Sequence, residues 1–86
     1  SLDRVIRDLN RSQVLRVFDM PVTDLEAPNY SRTITNPMSF ATMREKLART
    51  EYRNKMQFAS DIELIADNCI LYNGINSVYG GYADQL

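Results

Sequence analysis

The residues equipped for chemistry are few, and they gather around one helix end. Asn73 stands where a long segment of helical periodicity stops. An amide there has two uses: it ends the helix as a cap, or it aims N–H groups at a ligand's acceptor. The residue alone leaves both open. Cys69 lies four residues earlier and so shares the helical face of Asn73. It is the one Cys, and the chain has no His. A thiol with no base beside it makes a poor nucleophile, so a small apolar filler in a pocket wall is the better reading. The same absences remove an imidazole base, a His-type triad, a CxxC pair and an internal disulfide. No pair among the 11 carboxylates has a recognisable acid–base spacing. No metal or phosphate motif is present either. These residue types point to binding, with no enzyme activity, cofactor or metal expected.

Those residues need a small frame. Eighty-six residues make one domain, with a core that is marginal but workable without staples. Hydrophobic residues at 44% and a net charge of −1 argue against disorder. They also argue against a surface built to grip nucleic acid by charge. No stretch approaches the roughly 20 apolar residues of a membrane span, and no signal-peptide pattern is present. A small domain without disulfides fits a reducing compartment.

Periodicity predicts an all-α fold with four helices. The first covers residues 1–17, with Leu2, Val5, Ile6, Leu9 and Leu15 on one face. Residues 18–38 form a long loop punctuated by Pro21, Pro28 and Pro37. It carries Phe18, Met20, Val22, Leu25, Tyr30 and Ile34, too apolar for a solvated linker, so it should fold back and wall something. A second helix spans residues 39–50, with Ser39 as N-cap. Phe40, Met43 and Leu47 face in, while Arg44, Glu45, Lys46 and Arg49 face out. Asn54 and Gln57 have capping-box spacing and open a third helix over 55–72, where Phe58, Ile62 and Ile65 read as core. Residues 73–77 form a short loop. Ser77 caps a last helix, which the chain's end is expected to cut short. Gly80 and Gly81 weaken that helix by about 1 kcal/mol each relative to Ala, so it should start loosely.

In this order and spacing the residues resemble the bromodomain family, over roughly positions 15–83. The matching runs are Phe18 to Val22, Ala27 to Tyr30, Asn36 to Phe40 with Thr42, Met43 and Leu47, Phe58 with Asp61, Asn68 with Cys69, Tyr72 with Asn73, and Ser77 to Tyr79. The runs at Pro21 to Asp24 and Ala27 to Tyr30, together with Tyr79, are most similar to the subgroup found in chromatin-remodelling complexes. The resemblance implies a left-handed four-helix bundle that binds N-acetyl-lysine without catalysis. Asn73 is then the donor to the acetyl carbonyl, and Tyr30 reaches it through water. Val22 and Phe18 wall the slot, with Pro21 beside them, and Tyr72 lines it. Tyr79 narrows the entrance, Leu25 and Ala27 run along the channel, and Cys69 fills the pocket. Arg16 and Val17 stand where many members have Trp-Pro, which leaves the slot wider. The implied partner is an acetylated histone tail or another acetylated protein, within a larger chromatin-associated complex in the nucleus. Neither nucleic acid nor membrane is expected to bind, and the isolated domain should be a monomer. The alternative is a degenerate member that binds proteins regardless of acetylation.

The chemistry is coherent on its own terms. A lysine ammonium loses its hydration in an apolar slot at large cost. Acetylation leaves a neutral amide with one strong acceptor. One aimed donor contributes about 0.5–1.5 kcal/mol net, so affinity is modest and discrimination against free lysine exceeds it. From Asp61 to Leu86 the charged residues are Asp61, Glu63, Asp67 and Asp84, all acidic. That favours basic peptides, with binding that weakens as salt rises.

Overall fold

The computed structural model describes residues 2–86. Within the first helix it describes the side chains of Leu2, Arg4, Val5, Asp8 and residues 11–17. The described chain is all-helical: α1 (Leu2–Val17), α2 (Tyr30–Thr33), α3 (Phe40–Ala48), α4 (Lys55–Asn73) and α5 (Val78–Ala83). Four of these answer to the four predicted helices. The fifth, α2, is a single turn inside the long loop, where Asn29 takes φ 61° as its N-cap. Asn tolerates that left-handed conformation better than most residues.

Side-chain caps fix the helix starts, as the sequence predicts. Thr42 N donates to Ser39 Oγ at 3.2 Å, Gln57 N to Asn54 Oδ1 at 3.0 Å, and Gly80 N to Ser77 Oγ at 2.9 Å. The return bond of the Asn54–Gln57 pair differs from the usual box. Gln57 Oε1 accepts from Arg53 N at 2.7 Å, one residue before the cap.

The core joins Val14 of α1, Phe18 of the loop, Met43 of α3, Ile65 and Cys69 of α4, and Ala83 of α5. Several predicted faces need correction. Leu2, Val5 and Leu15 of α1 are exposed, and among the described residues of α1 it is Val14 that is buried. The predicted inward placement of Ile6 and Leu9, and the helical placement of Ser1, lie outside the described residues. Leu47 and Phe58 are also exposed. Phe58 packs edge-on against Tyr52, with ring centroids 5.3 Å apart, at the entry to α4.

Lys46 does not face solvent. Its Nζ meets Asp61 Oδ2 at 2.5 Å, and Tyr52 donates to the same oxygen at 2.6 Å. Lys46 also sits 4.8 Å from the Tyr52 ring centroid. One carboxylate on α4 therefore draws in Lys46, which helical periodicity assigns to the solvent face, and Tyr52 from the connection before α4. Burial alone would raise the Asp61 pKa, but the bonds from Lys46 and Tyr52 prevail and hold it below the ordinary value. Burial, and then Asp61 itself, push the Tyr52 hydroxyl upward.

The long loop is tied down along its length. Phe18, Tyr30 and Ile34 are buried. Asn68 of α4, itself buried, donates from Nδ2 to Asn36 O at 2.9 Å. Asp24 accepts from Ser31 N at 2.7 Å and from Ser31 Oγ at 2.6 Å, which clamps the loop to α2. Those two bonds lower the Asp24 pKa.

Candidate functional site

The loop and the helix ends enclose a cavity of about 460 Å³, within the size range of small-ligand sites. Four segments build it. The end of α1 supplies Arg16 and Val17, with Phe18 directly after it in the loop. The loop supplies Met20, Val22, Glu26, Ala27, Pro28, Tyr30 and Met38. The C-terminal half of α4 supplies Ile65, Cys69, Tyr72 and Asn73, and α5 supplies Tyr79. Arg16 and Glu26 are the charged residues among them, and the rest are neutral.

Of the ten residues expected at the site, eight meet here: Phe18, Val22, Ala27, Tyr30, Cys69, Tyr72, Asn73 and Tyr79. Pro21 and Leu25 do not. Pro21 is exposed beside the lining, and Leu25 is 97% exposed. The turn from Thr23 explains Leu25. Glu26 N and Ala27 N both donate to Thr23 O, at 3.1 and 3.0 Å. That turn directs Glu26 and Ala27 to the cavity and leaves Leu25 outside.

Residues not expected at the site include Met20, Glu26, Pro28 and Met38. Each lies within or beside a run already singled out, so chain proximity was the available signal. Arg16 and Val17, expected only to leave the slot wider, both line it. Ile65 is core, as expected, but also lining: it stands four residues before Cys69 and shares its face.

The hydrogen bonds show how the polar groups are held. Asn73 Nδ2 donates to Cys69 O at 3.1 Å and lies 3.7 Å from Cys69 Sγ. The amide is thus engaged with the helix's own last turn, through the Cys69 carbonyl and, at sulfur hydrogen-bond distance, the Cys69 thiol. The same side chain closes α4 and borders the cavity. The Cys69 thiol donates to Tyr79 O at 3.2 Å, joining α4 to α5. Burial raises the Cys69 pKa, with the Asn73 amide pulling the other way. The group therefore stays a thiol at neutral pH, a donor and not a nucleophile.

Tyr72 and Tyr30 meet edge to face, with centroids 5.1 Å apart. The Tyr72 hydroxyl donates to Pro28 O at 2.8 Å, so it is spent on holding the loop. Tyr30 lines the cavity with its hydroxyl uncommitted among the described residues. Burial, then nearby Cys69 and Tyr72, raise its pKa. It stays protonated, able to donate or to relay a bond.

This arrangement is a slot walled by apolar and aromatic side chains, with the Asn73 amide and the Tyr30 and Tyr79 hydroxyls among its polar groups. It suits a slender neutral group carrying a single acceptor. An unpaired ammonium would lose its hydration there with no carboxylate to replace it except Glu26, whose Oε1 already accepts from the Thr23 hydroxyl at 3.2 Å. Among the described residues no cluster of His, Cys, Asp or Glu could hold a metal, and no helix is long and apolar enough to cross a membrane.

The chain is similar to known proteins along nearly its whole length. The family model described as Bromodomain matches residues 2–85. Bromodomain-containing protein 9 of Xenopus tropicalis is 40% identical over 85 residues, covering 99% of this chain and 14% of that protein. Bromodomain-containing protein 7 of Mus musculus is 34% identical over 86 residues, covering 100% and 13%. The chain thus spans about one seventh of the curated relatives it matches. The crystal structure of CpBRD2 from cryptosporidium superposes with a TM-score of 0.80 at 33% identity, covering 95% of this chain and 77% of that one.

Proposed function

We propose that this chain, which belongs to the bromodomain family, reads N-acetyl-lysine in the cavity beside Asn73. The observation that carries the proposal is the state of the Asn73 amide. It is oriented by its bond to Cys69 O and borders a slot whose wall carries many apolar and aromatic side chains. A donor held in place needs little reordering when an acetyl carbonyl arrives.

The rest of the wall fits the same ligand. Val22, Phe18 and Ile65 offer apolar contact for the acetyl methyl and the lysine stem. Tyr30 offers a protonated phenol for a water-relayed bond. Tyr72 holds the loop that carries Val22 and Tyr30, and Tyr79 narrows the opening. The partner is an acetylated protein, with histone tails the best fit to the acidic α4–α5 segment. On this reading the chain is a non-catalytic module that works in the nucleus as part of a larger chromatin-associated protein or complex.

An NMR titration tests the proposal. The labelled domain receives an acetylated and an unmodified Lys-rich histone peptide, beside an Asn73→Ala variant. Shifts at Asn73, Tyr30 and Val22 only with the acetylated peptide, lost in the variant, support the reading. Equal shifts with both peptides would replace it with an interaction module indifferent to acetylation.

A further inference from the structure

Gly80 is buried as the third residue of α5. The place its Cβ would take is already filled. A Cβ there would lie 2.6 Å from the carbonyl oxygens of both Gly74 and Ile75, and 2.9 Å from the Ile75 carbonyl carbon. These are backbone atoms that cannot swing aside. Reaching ordinary contact at 3.4 Å would need an opening of about 0.8 Å between α5 and the loop. Gly81, the next residue, has nothing within 4 Å of its own Cβ position. The two adjacent glycines are therefore not equivalent.

The segment that presses on Gly80 begins immediately after Asn73. Gly74 N donates to Ile70 O at 2.8 Å as the chain leaves α4. Gly74 takes φ 94°, a conformation open to glycine and costly for L side chains. Its carbonyl accepts from Ser77 Oγ at 2.7 Å, and that hydroxyl in turn accepts from Gly80 N at 2.9 Å. One serine thus bridges the loop carbonyl to Gly80. On the other side, Tyr79 O accepts from the Cys69 thiol, and Cys69 O accepts from the Asn73 amide. Asn73, Cys69, Tyr79 and the 74–77 loop form one bonded unit, closed by the contact at Gly80.

We propose that Gly80 is a positioning residue of the pocket. Its missing side chain lets α5 seat against the Gly74 and Ile75 carbonyls, which sets where the Asn73 amide and Tyr79 stand relative to each other. The ligand half of this inference rests on the acetyl-lysine reading, and the structural half does not.

The test compares Gly80→Ala and Gly81→Ala with the native chain. Two readouts are used: the side-chain amide resonances of Asn73 without ligand, and calorimetric affinity for an acetylated Lys peptide. Gly80→Ala is expected to move the Asn73 amide signals while the helical CD spectrum persists. It should weaken binding by at least about fivefold, the lower end for a misaimed donor. Gly81→Ala should leave both readouts in place and raise Tm, since it removes a glycine from a helix without a clash. If Gly80→Ala does not fold, Ser77→Ala decides, because it deletes the bridging hydroxyl without adding atoms and should move the same amide signals. Unmoved Asn73 signals in whichever of these two variants is read, or an equal effect from Gly81→Ala, overturns the proposal. If the native chain ignores the acetylated peptide, the functional reading fails, while the unliganded amide signals still judge the positioning role.

Discussion

Replacing Asn73 separates two quantities that the structure holds in one side chain. Its amide closes α4 through Cys69 O at 3.1 Å from an exposed position. Losing that bond costs stability at most about 1 kcal/mol, or roughly 4–8 °C in Tm for a domain of this size. The binding cost is larger. An acetyl carbonyl enclosed without its donor costs about 1–3 kcal/mol, which is roughly a 5- to 150-fold loss of affinity. Asn73→Asp sharpens the test, because it keeps size and shape while removing both N–H groups. Calorimetry with acetylated and unmodified forms of one peptide, beside thermal melts, measures both effects. Either variant should remain folded and lose most affinity for the acetylated peptide, and Asn73→Ala should leave the weak response to the unmodified one unchanged. Affinity for the acetylated peptide within twofold of native, in a folded Asn73→Asp, would refute the reasoning.

Three further outcomes are expected. Tyr72→Phe keeps the edge-to-face contact with Tyr30 but deletes the bond to Pro28 O, so it should cost about 0.5–1.5 kcal/mol in denaturant melts. It should also weaken acetyl-lysine binding, through a looser loop. Leu25→Ala should change peptide affinity less than twofold by calorimetry, because Leu25 is 97% exposed and outside the cavity wall. Asp61→Asn should destabilise the fold at pH 7 by about 1–3 kcal/mol, between the values for exposed and fully buried pairs. The pH dependence follows from the lowered folded-state pKa of Asp61. Its contribution is complete above the ordinary value of 3.8 and drains away as pH falls through the lower folded value. Urea melts should therefore show native and variant converging as pH drops below about 4.

The helices and their starts were legible in the chain because they depend on near neighbours. Apolar spacing marked α3 and α4, and Ser39, Asn54 and Ser77 each had an oxygen and a following N–H within three residues. Excluding disulfides and His-based chemistry needed only counting. The ordered runs from Phe18 to Tyr79 identified the family and eight of the residues that line the cavity.

What the chain alone could not decide were relations between distant positions. Periodicity assigns a residue to a helical face but does not say whether another element arrives to cover that face. Leu47 and Phe58 therefore read as core and are exposed, while Lys46 reads as solvated and turns toward Asp61, fifteen residues on. Leu25 and Ala27 are two residues apart in one apolar loop, and only the turn at Thr23 sends one out and the other in. Gly80 and Gly81 are chemically identical in the sequence. The carbonyls of Gly74 and Ile75 distinguish them, because a steric constraint exists only once α5 has folded back onto the loop that follows Asn73.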